Sequence, residues 1–258
     1  MTILLRTCGG IGNQLFQSNF AILLADKYKS SNIYHLHSEN YERVAQWELD
    51  ILNFRSARGL YLLLLLLRLP RLMTYFKISN KEYVRIGSLI ILDGYFLEKS
   101  NYELFCSQDI EQSIQYWRRI FDIKKNKNGK TLLHIRLGDF FVSNKERELF
   151  LNFTFDQVEK EVDIISNDED LVLECLRNKY YNKAELCKIL STTNLSSIEL
   201  LRFVSQYENI CYNGSTLLFW GSILGGSSLT WNSNLHQEHY VVKNCKYLDQ
   251  IMKIFVSN

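Results

Sequence analysis

The sequence predicts an α/β protein of two lobes built on parallel sheets, with a ligand cleft between them, and three observations carry that prediction. Short apolar runs that read as buried strands alternate with segments of helical periodicity. Two of these runs end in polar, glycine-bearing loops. Thr2-Ile3-Leu4-Leu5 leads into Gly9-Gly10-Ile11-Gly12-Asn13-Gln14, and Thr131-Leu132-Leu133 leads into His134-Ile135-Arg136-Leu137-Gly138-Asp139. The alternation restarts after the polar, turn-rich stretch Lys124-Lys125-Asn126-Lys127-Asn128-Gly129-Lys130, so a domain boundary is expected there, dividing the chain into 1–127 and 128–258. Open parallel sheets bind ligands at the carboxyl ends of their strands, where both loops fall.

The elements follow in order. After the first strand and its glycine turn, Asn13 to Lys27 carries apolar residues at Leu15, Phe16, Ala21, Ile22, Leu23 and Leu24, which reads as a helix with Asn13 as its N-cap. A second strand is expected at Ile33–His37, another at Leu89–Leu92, and a helix at Ser107–Ile120. In the second half, the strand through Leu132 and Leu133 is followed by a helix expected over Asp156–Val162. Then come a strand over Ile164–Asp168 and a helix over Glu169–Lys179. Leu60–Leu72 stands apart. It holds a run of six leucines flanked by Arg55, Arg58, Arg68 and Arg71. It reads either as a core helix with solvated ends or as an apolar segment resting on an anionic membrane surface.

Composition narrows the classes. At 258 residues the chain can bury a proper core as one large domain or two modest ones. A formal charge of +2 argues against a nucleic-acid binder driven by bulk electrostatics. The six cysteines contain no Cys-x-x-Cys pair, which gives neither a zinc spacing nor a disulfide framework, and they read as buried reduced thiols. Met1–Arg6 runs into the first motif without a signal-peptide pattern, and no apolar stretch reaches the roughly 18–20 residues that span a bilayer. A cytoplasmic protein is expected, with peripheral contact at the cytoplasmic face of the membrane through Leu60–Leu72.

The chemistry-bearing residues sit in the loops. Arg136 offers a permanently charged fork of donors suited to phosphate oxygens, although an ion pair with Asp139 is an equally plain reading. Gly9, Gly10 and Gly12 permit positive φ and close backbone approach to a ligand, but Leu15 breaks the dinucleotide pattern Gly-x-Gly-x-x-Gly. Asn13 supplies both a donor and an acceptor. Ser215 and Thr216, small hydroxyls entering a helix, can bind phosphate, whereas Phe219 and Trp220 read as core.

In order and separation these motifs resemble the fucosyltransferases that use GDP-fucose, most closely the α-1,2-fucosyltransferase family (glycosyltransferase family 11) of bacterial type. The first is similar to Gly-x-Gly-Asn-Gln-Leu-Phe-Gln, matched at Gly10, Gly12, Asn13, Gln14, Leu15, Phe16 and Gln17. The second is similar to His-x-Arg-Arg-x-Asp, matched at His134, Arg136 and Asp139, with Leu137 in place of the second arginine. Asn213-Gly214-Ser215-Thr216-Leu217-Leu218-Phe219-Trp220-Gly221 resembles a degenerate Ser-Asn-Ser-Ser-Phe-Ser-Trp-Trp-Gly. Asp93-Gly94-Tyr95-Phe96 with Glu98-Lys99 looks like a Gly-Tyr-(Phe/Trp)-Gln-Ser-Glu-Lys segment one residue short. Ser166-Asn167-Asp168 looks like Ser-Asp-Asp with its first aspartate lost. The tail from Gly225 matches none of these motifs.

The resemblance implies two Rossmann-like lobes (GT-B type), the first facing the acceptor and the second holding GDP-fucose. It implies inverting transfer of fucose to O2 of a galactose on an oligosaccharide or lipid-linked glycan, as in the synthesis of surface polysaccharide or O-antigen, without a metal cofactor. Arg136 would contact the diphosphate and assist its departure, with His134 near the nucleotide and Asp139 orienting the loop. Asn13 would lie beside the fucose and the reacting oxygen. Asp168 would hold guanine, and Gly10, Gly12, Ser215 and Thr216 would belong to the donor site. No general base is identified. The same fold acting on another GDP-deoxysugar or a non-galactose acceptor, and a non-catalytic nucleotide-sugar-binding protein, remain the alternatives.

Overall fold

Two five-stranded sheets, one in each of two units, organise the chain. The computed structural model describes residues 1–30, 32–37, 49, 52, 54–56, 83–124, 127–137, 141, 143–231 and 240–256. Asp139 and the Leu60–Leu72 segment lie outside the described residues.

The first unit, Met1–Tyr116, contains β1 (Thr2–Thr7), α1 (Ile11–Lys27), β2 (Asn32–His37), β3 (Arg55–Ser56), β4 (Tyr83–Ile86), β5 (Leu89–Asp93) and the short α2 (Lys99–Tyr102). Its strand order is β3-β2-β1-β5-β4. The pairings are parallel except for β4, which runs antiparallel to β5 at the edge. Ile3, Leu4 and Leu5 of the central β1 are all buried, as a strand covered on both faces requires. Helix α1 buries Leu15, Phe16, Phe20, Leu23 and Leu24, and Phe20 stacks on Phe96 with centroids 4.4 Å apart. The helix begins earlier than expected. Gly10, not Asn13, is the N-cap: its carbonyl accepts from the N–H groups of Asn13 (2.9 Å) and Gln14 (3.1 Å), so Asn13 already lies in the first turn.

The second unit, Trp117–Val256, takes the last turn of α3 (Ser107–Ile120) and continues through β6 (Thr131–Ile135), α4 (Asn144–Asp156), β7 (Val162–Ser166) and α5 (Glu169–Lys179). After a 3₁₀ turn at Tyr181–Leu186 come β8 (Cys187–Ile189), α6 (Ser197–Val204), β9 (Asn209–Tyr212), α7 (Thr216–Gly225), β10 (Ser228–Trp231) and α8 (Tyr240–Val256). The sheet order is β10-β9-β6-β7-β8, with parallel pairing throughout.

Three expectations are corrected. The division falls inside α3 rather than in the Lys124–Lys130 stretch, because the end of α3 belongs to the second core. Trp117 stacks on Phe121 at 5.5 Å and meets Trp220 edge-on at 6.3 Å, and Arg118 Nε donates to the Leu224 carbonyl at 2.7 Å. The helix expected over Asp156–Val162 is α4, which ends at Asp156. Ser143 caps its start by accepting from the Glu146 N–H, and Phe150, Leu151, Thr154 and Phe155 form its buried face. Of the six free cysteines, Cys245 is buried, Cys106 is exposed and the other four are partly exposed, so burial is not what unites them.

Both sheets start at a central strand, wind outward on one side, and then return to the other side of that strand. The reversal lies between β1 and β5 in the first unit and between β6 and β9 in the second. Such a reversal leaves a crevice outside the carboxyl ends of the two strands, the usual ligand position in open α/β sheets. The α/β class and the two Rossmann-like units expected from the sequence are therefore present. Among the described residues, no helix is long and apolar enough to cross a membrane.

Candidate functional site

The loop leaving β6 occupies the reversal point of the second unit. The carbonyl of Arg136 accepts from Asn213 Nδ2 at 2.8 Å, and the N–H of Leu137 donates to Asn167 Oδ1 at 2.8 Å. Asn213 directly follows β9 and Asn167 directly follows β7, so all three strand ends are tied together. This joins the mid-chain motif, the Ser166-Asn167-Asp168 segment and the Asn213–Gly221 segment at one sheet edge.

His134 is the penultimate residue of β6, paired in register with Ile165. The residue as a whole is half-buried, and its Nδ1 is buried without a hydrogen-bond partner. Burial, and then the charge of Arg136, push its pKa from 6.5 down to about 3, against an opposing contribution from Asn213. The imidazole is therefore neutral at physiological pH, able to offer a hydrogen bond but neither a positive charge nor an acidic proton. Leu137 is fully buried. That position points a side chain into the core, which accounts physically for an apolar residue there.

Asp168 caps α5, its Oδ1 accepting from the Leu171 N–H at 3.2 Å. It also lines a cavity of about 440 Å³ between α4 and α5, together with Arg147, Leu151, Leu171 and Glu174. The turn from β9 into α7 passes through Gly214 at φ 82°, a conformation that favours glycine. Ser215 is the N-cap of α7, and its hydroxyl makes no capping bond. The first N–H groups of that helix thus face the same sheet edge without a side-chain cap, a ready environment for an anion. Phe219 and Trp220 are fully buried, as expected of core.

In the first unit the glycine loop is braced from α1. Gln14 Nε2 donates to the Gly9 carbonyl at 2.9 Å, and Gln17 Oε1 accepts from the Cys8 N–H at 3.1 Å. Both glutamines are fully buried. The residue with positive φ is Gly9, at 77°. A Cβ there would lie 2.6 Å from Asn13 Nδ2, so the asparagine amide rests directly against this glycine. Gly10 has an ordinary φ of −69° with open space where a Cβ would sit, and Gly12 is buried in α1. Across the reversal point, Arg6 Nη1 pairs with Asp93 Oδ2 at 3.2 Å.

Sequence reasoning named Asn167, Asn213, Gln14 and Gln17 within motifs but gave them no bracing role, and it passed over the Arg6–Asp93 pair. The asparagines carried one usable signal: each stands at the first position after a strand. A second cavity of about 390 Å³ lies at the amino ends of β6 and β9. Its Lys127 and Arg202 are already bonded to the backbone carbonyls of Tyr207 (2.9 Å) and Phe121 (2.7 Å), which marks it as structural. Among the described residues, no cluster of three or more His, Cys, Asp or Glu side chains is placed to hold a metal.

No family model matches the chain, and no curated protein matches it in sequence. Among solved structures it is similar to a glycosyl transferase family 9 protein from Veillonella parvula DSM 2008. The identity is 8%, the likeness covers 100% of this chain and 98% of that one, and the TM-score is 0.42.

Proposed function

We propose that the chain is an inverting glycosyltransferase that moves fucose from GDP-fucose to O2 of a galactose on an oligosaccharide or lipid-linked glycan of a surface polysaccharide, in the cytoplasm. One observation carries the reading: the three segments of the second unit that resemble donor-site motifs are tied together at its reversal point, through Asn167 and Asn213.

In this reading the acceptor hydroxyl attacks the anomeric carbon while the bond from that carbon to the β-phosphate oxygen breaks. The electron pair leaves with GDP, and the hydroxyl proton passes to solvent on the face opposite the departing diphosphate. The protein's task is to stabilise the negative charge growing on the diphosphate. Arg136 supplies positive charge, the uncapped N–H groups at Thr216 supply dipoles, and neutral His134 supplies a hydrogen bond without competing for a proton. Asp168 Oδ2, which makes no hydrogen bond among the described residues, is assigned to the guanine N–H groups, with the cavity beside it as room for the base. Asn13 is assigned to the acceptor side; its amide makes no side-chain hydrogen bond among the described residues.

Calorimetry with GDP-fucose, GDP, GDP-mannose and UDP-galactose tests the reading without knowledge of the acceptor. Selective binding of GDP and GDP-fucose is expected. Equal affinity for the uridine donor would remove the guanine assignment and the reading with it.

A further inference from the structure

The Arg136 carbonyl and the Leu137 N–H are the two polar atoms of a single peptide group. Asn213 grips one and Asn167 grips the other, reaching in from the strands on either side of β6. A peptide group held at both ends cannot rotate about its flanking bonds without breaking one of the two contacts. The grip therefore fixes ψ of Arg136 and φ of Leu137, and with them the direction in which the Arg136 side chain leaves the backbone. Leu137, buried as the next residue, anchors the far side of the same unit.

We infer that Asn167 and Asn213 are positioning residues that hold Arg136 in place for the diphosphate of a nucleotide sugar. The inference rests on the reading proposed above for Arg136. Preorganised charge is effective because nothing needs to rearrange when the ligand or transition state arrives, and a small misplacement of a binding group is costly. The two asparagines act through opposite chemistry: Asn167 accepts a hydrogen bond and Asn213 donates one. An aspartate can replace the first but, while ionised, not the second.

The test compares Asn167→Ala, Asn167→Asp, Asn213→Ala and Asn213→Asp with the wild type. Affinity for inorganic pyrophosphate and for GDP-fucose is measured by calorimetry, and GDP release from GDP-fucose in the absence of acceptor is measured by rate. Each aspartate adds one negative charge near the ligand, a cost that cancels between Asn167→Asp and Asn213→Asp but not against the alanine variants. Asn167→Ala and both Asn213 variants are expected to lose about three- to tenfold in pyrophosphate affinity, the scale of one hydrogen bond. Asn167→Asp is expected to restore most of what Asn167→Ala loses. Relative to wild type, Asn213→Asp should recover as the pH falls, because a protonated carboxyl regains a donor for the Arg136 carbonyl.

Asn167 is exposed, so even if the buried Asn213 site does not tolerate aspartate, an Asn167→Ala variant that binds pyrophosphate as tightly as the wild type would overturn the inference. Equal damage from Asn167→Asp and Asn213→Asp, at a pH where both are ionised, would overturn the inference. So would a harmless Asn213→Ala, or a wild type that does not bind pyrophosphate. A wild type that binds pyrophosphate but shows no preference for GDP-fucose over UDP-galactose would remove the proposed donor, while the pyrophosphate series would still judge the two asparagines.

Discussion

The loop after β1 and the loop after β6 occupy equivalent places in their sheets, yet they are held from opposite directions. The first is braced by its own helix: Gln14 and Gln17 reach back only a few residues to Gly9 and Cys8. The second is braced from its flanks, by Asn167 and Asn213, which stand 30 and 77 positions from their partners. The electrostatics of the two strand ends differ as well. Arg6 is paired with Asp93 across the first reversal point, whereas the residue next to β6's last position, His134, is kept neutral beside Arg136. A loop held by its own segment leaves a contiguous signature in the sequence. A loop held by its neighbours leaves isolated residues whose meaning depends on the fold.

Four single substitutions and one double-mutant cycle break or sharpen this contrast, taken from the largest effect downward. Arg136→Ala is expected to lower turnover by about 10²–10³-fold, the scale for loss of one preorganised group at a developing charge. Thermal unfolding should be little changed. Full activity in this variant would return the β6 loop to a purely structural role, like its counterpart after β1.

His134→Gln addresses stability toward acid. The folded-state pKa of about 3 lies below the unfolded value of 6.5, so below pH 6.5 the unfolded chain takes up a proton that the native chain refuses. This contribution is complete above pH 6.5 and is lost progressively as the pH falls toward 3, by at most about 1.4 kcal/mol for each pH unit. Urea midpoints across that range should fall less steeply for His134→Gln than for wild type; identical slopes would contradict a neutral buried imidazole.

Gln17→Leu removes the local brace in the first unit, leaves the Cys8 N–H without its acceptor, and is expected to lower stability by about 1–3 kcal/mol in denaturant titration. Gly9→Ala places a side chain at positive φ and against Asn13, for a loss of about 1–2 kcal/mol. Because Gln14 bonds the Gly9 carbonyl, a double-mutant cycle of Gly9→Ala with Gln14→Leu should show coupling. Strict additivity would mean that the glutamine does not act through this glycine.

The same contrast accounts for what could be read beforehand. Apolar runs at residues 2–5, 89–92 and 131–133 marked central strands, because strands covered on both faces must be apolar throughout. The glycine loop was legible as a unit, although its cap was assigned to Asn13 when the helix starts after Gly10. The start of α4 was missed because its signal, Ser143 with Glu146, is a polar cap rather than an apolar run. Asn167 read as a lost aspartate, yet in the fold it supplies the oxygen that the Leu137 N–H needs. The domain division was misplaced because the polar Lys124–Lys130 stretch looks like a linker, while Trp117 upstream of it already packs with both Phe121 and Trp220.

The buried Leu137 has a bearing on how such a site can change over time. The motif it resembles carries a second arginine at this position, and here that place faces an apolar interior. Placing a guanidinium there in one step would strand an unpaired charge among hydrocarbon side chains, a burden of several kcal/mol, comparable to much of a domain's stability. The surrounding packing thus works as a ratchet. A library that seeks a second arginine at this position must therefore also loosen the core around residue 137.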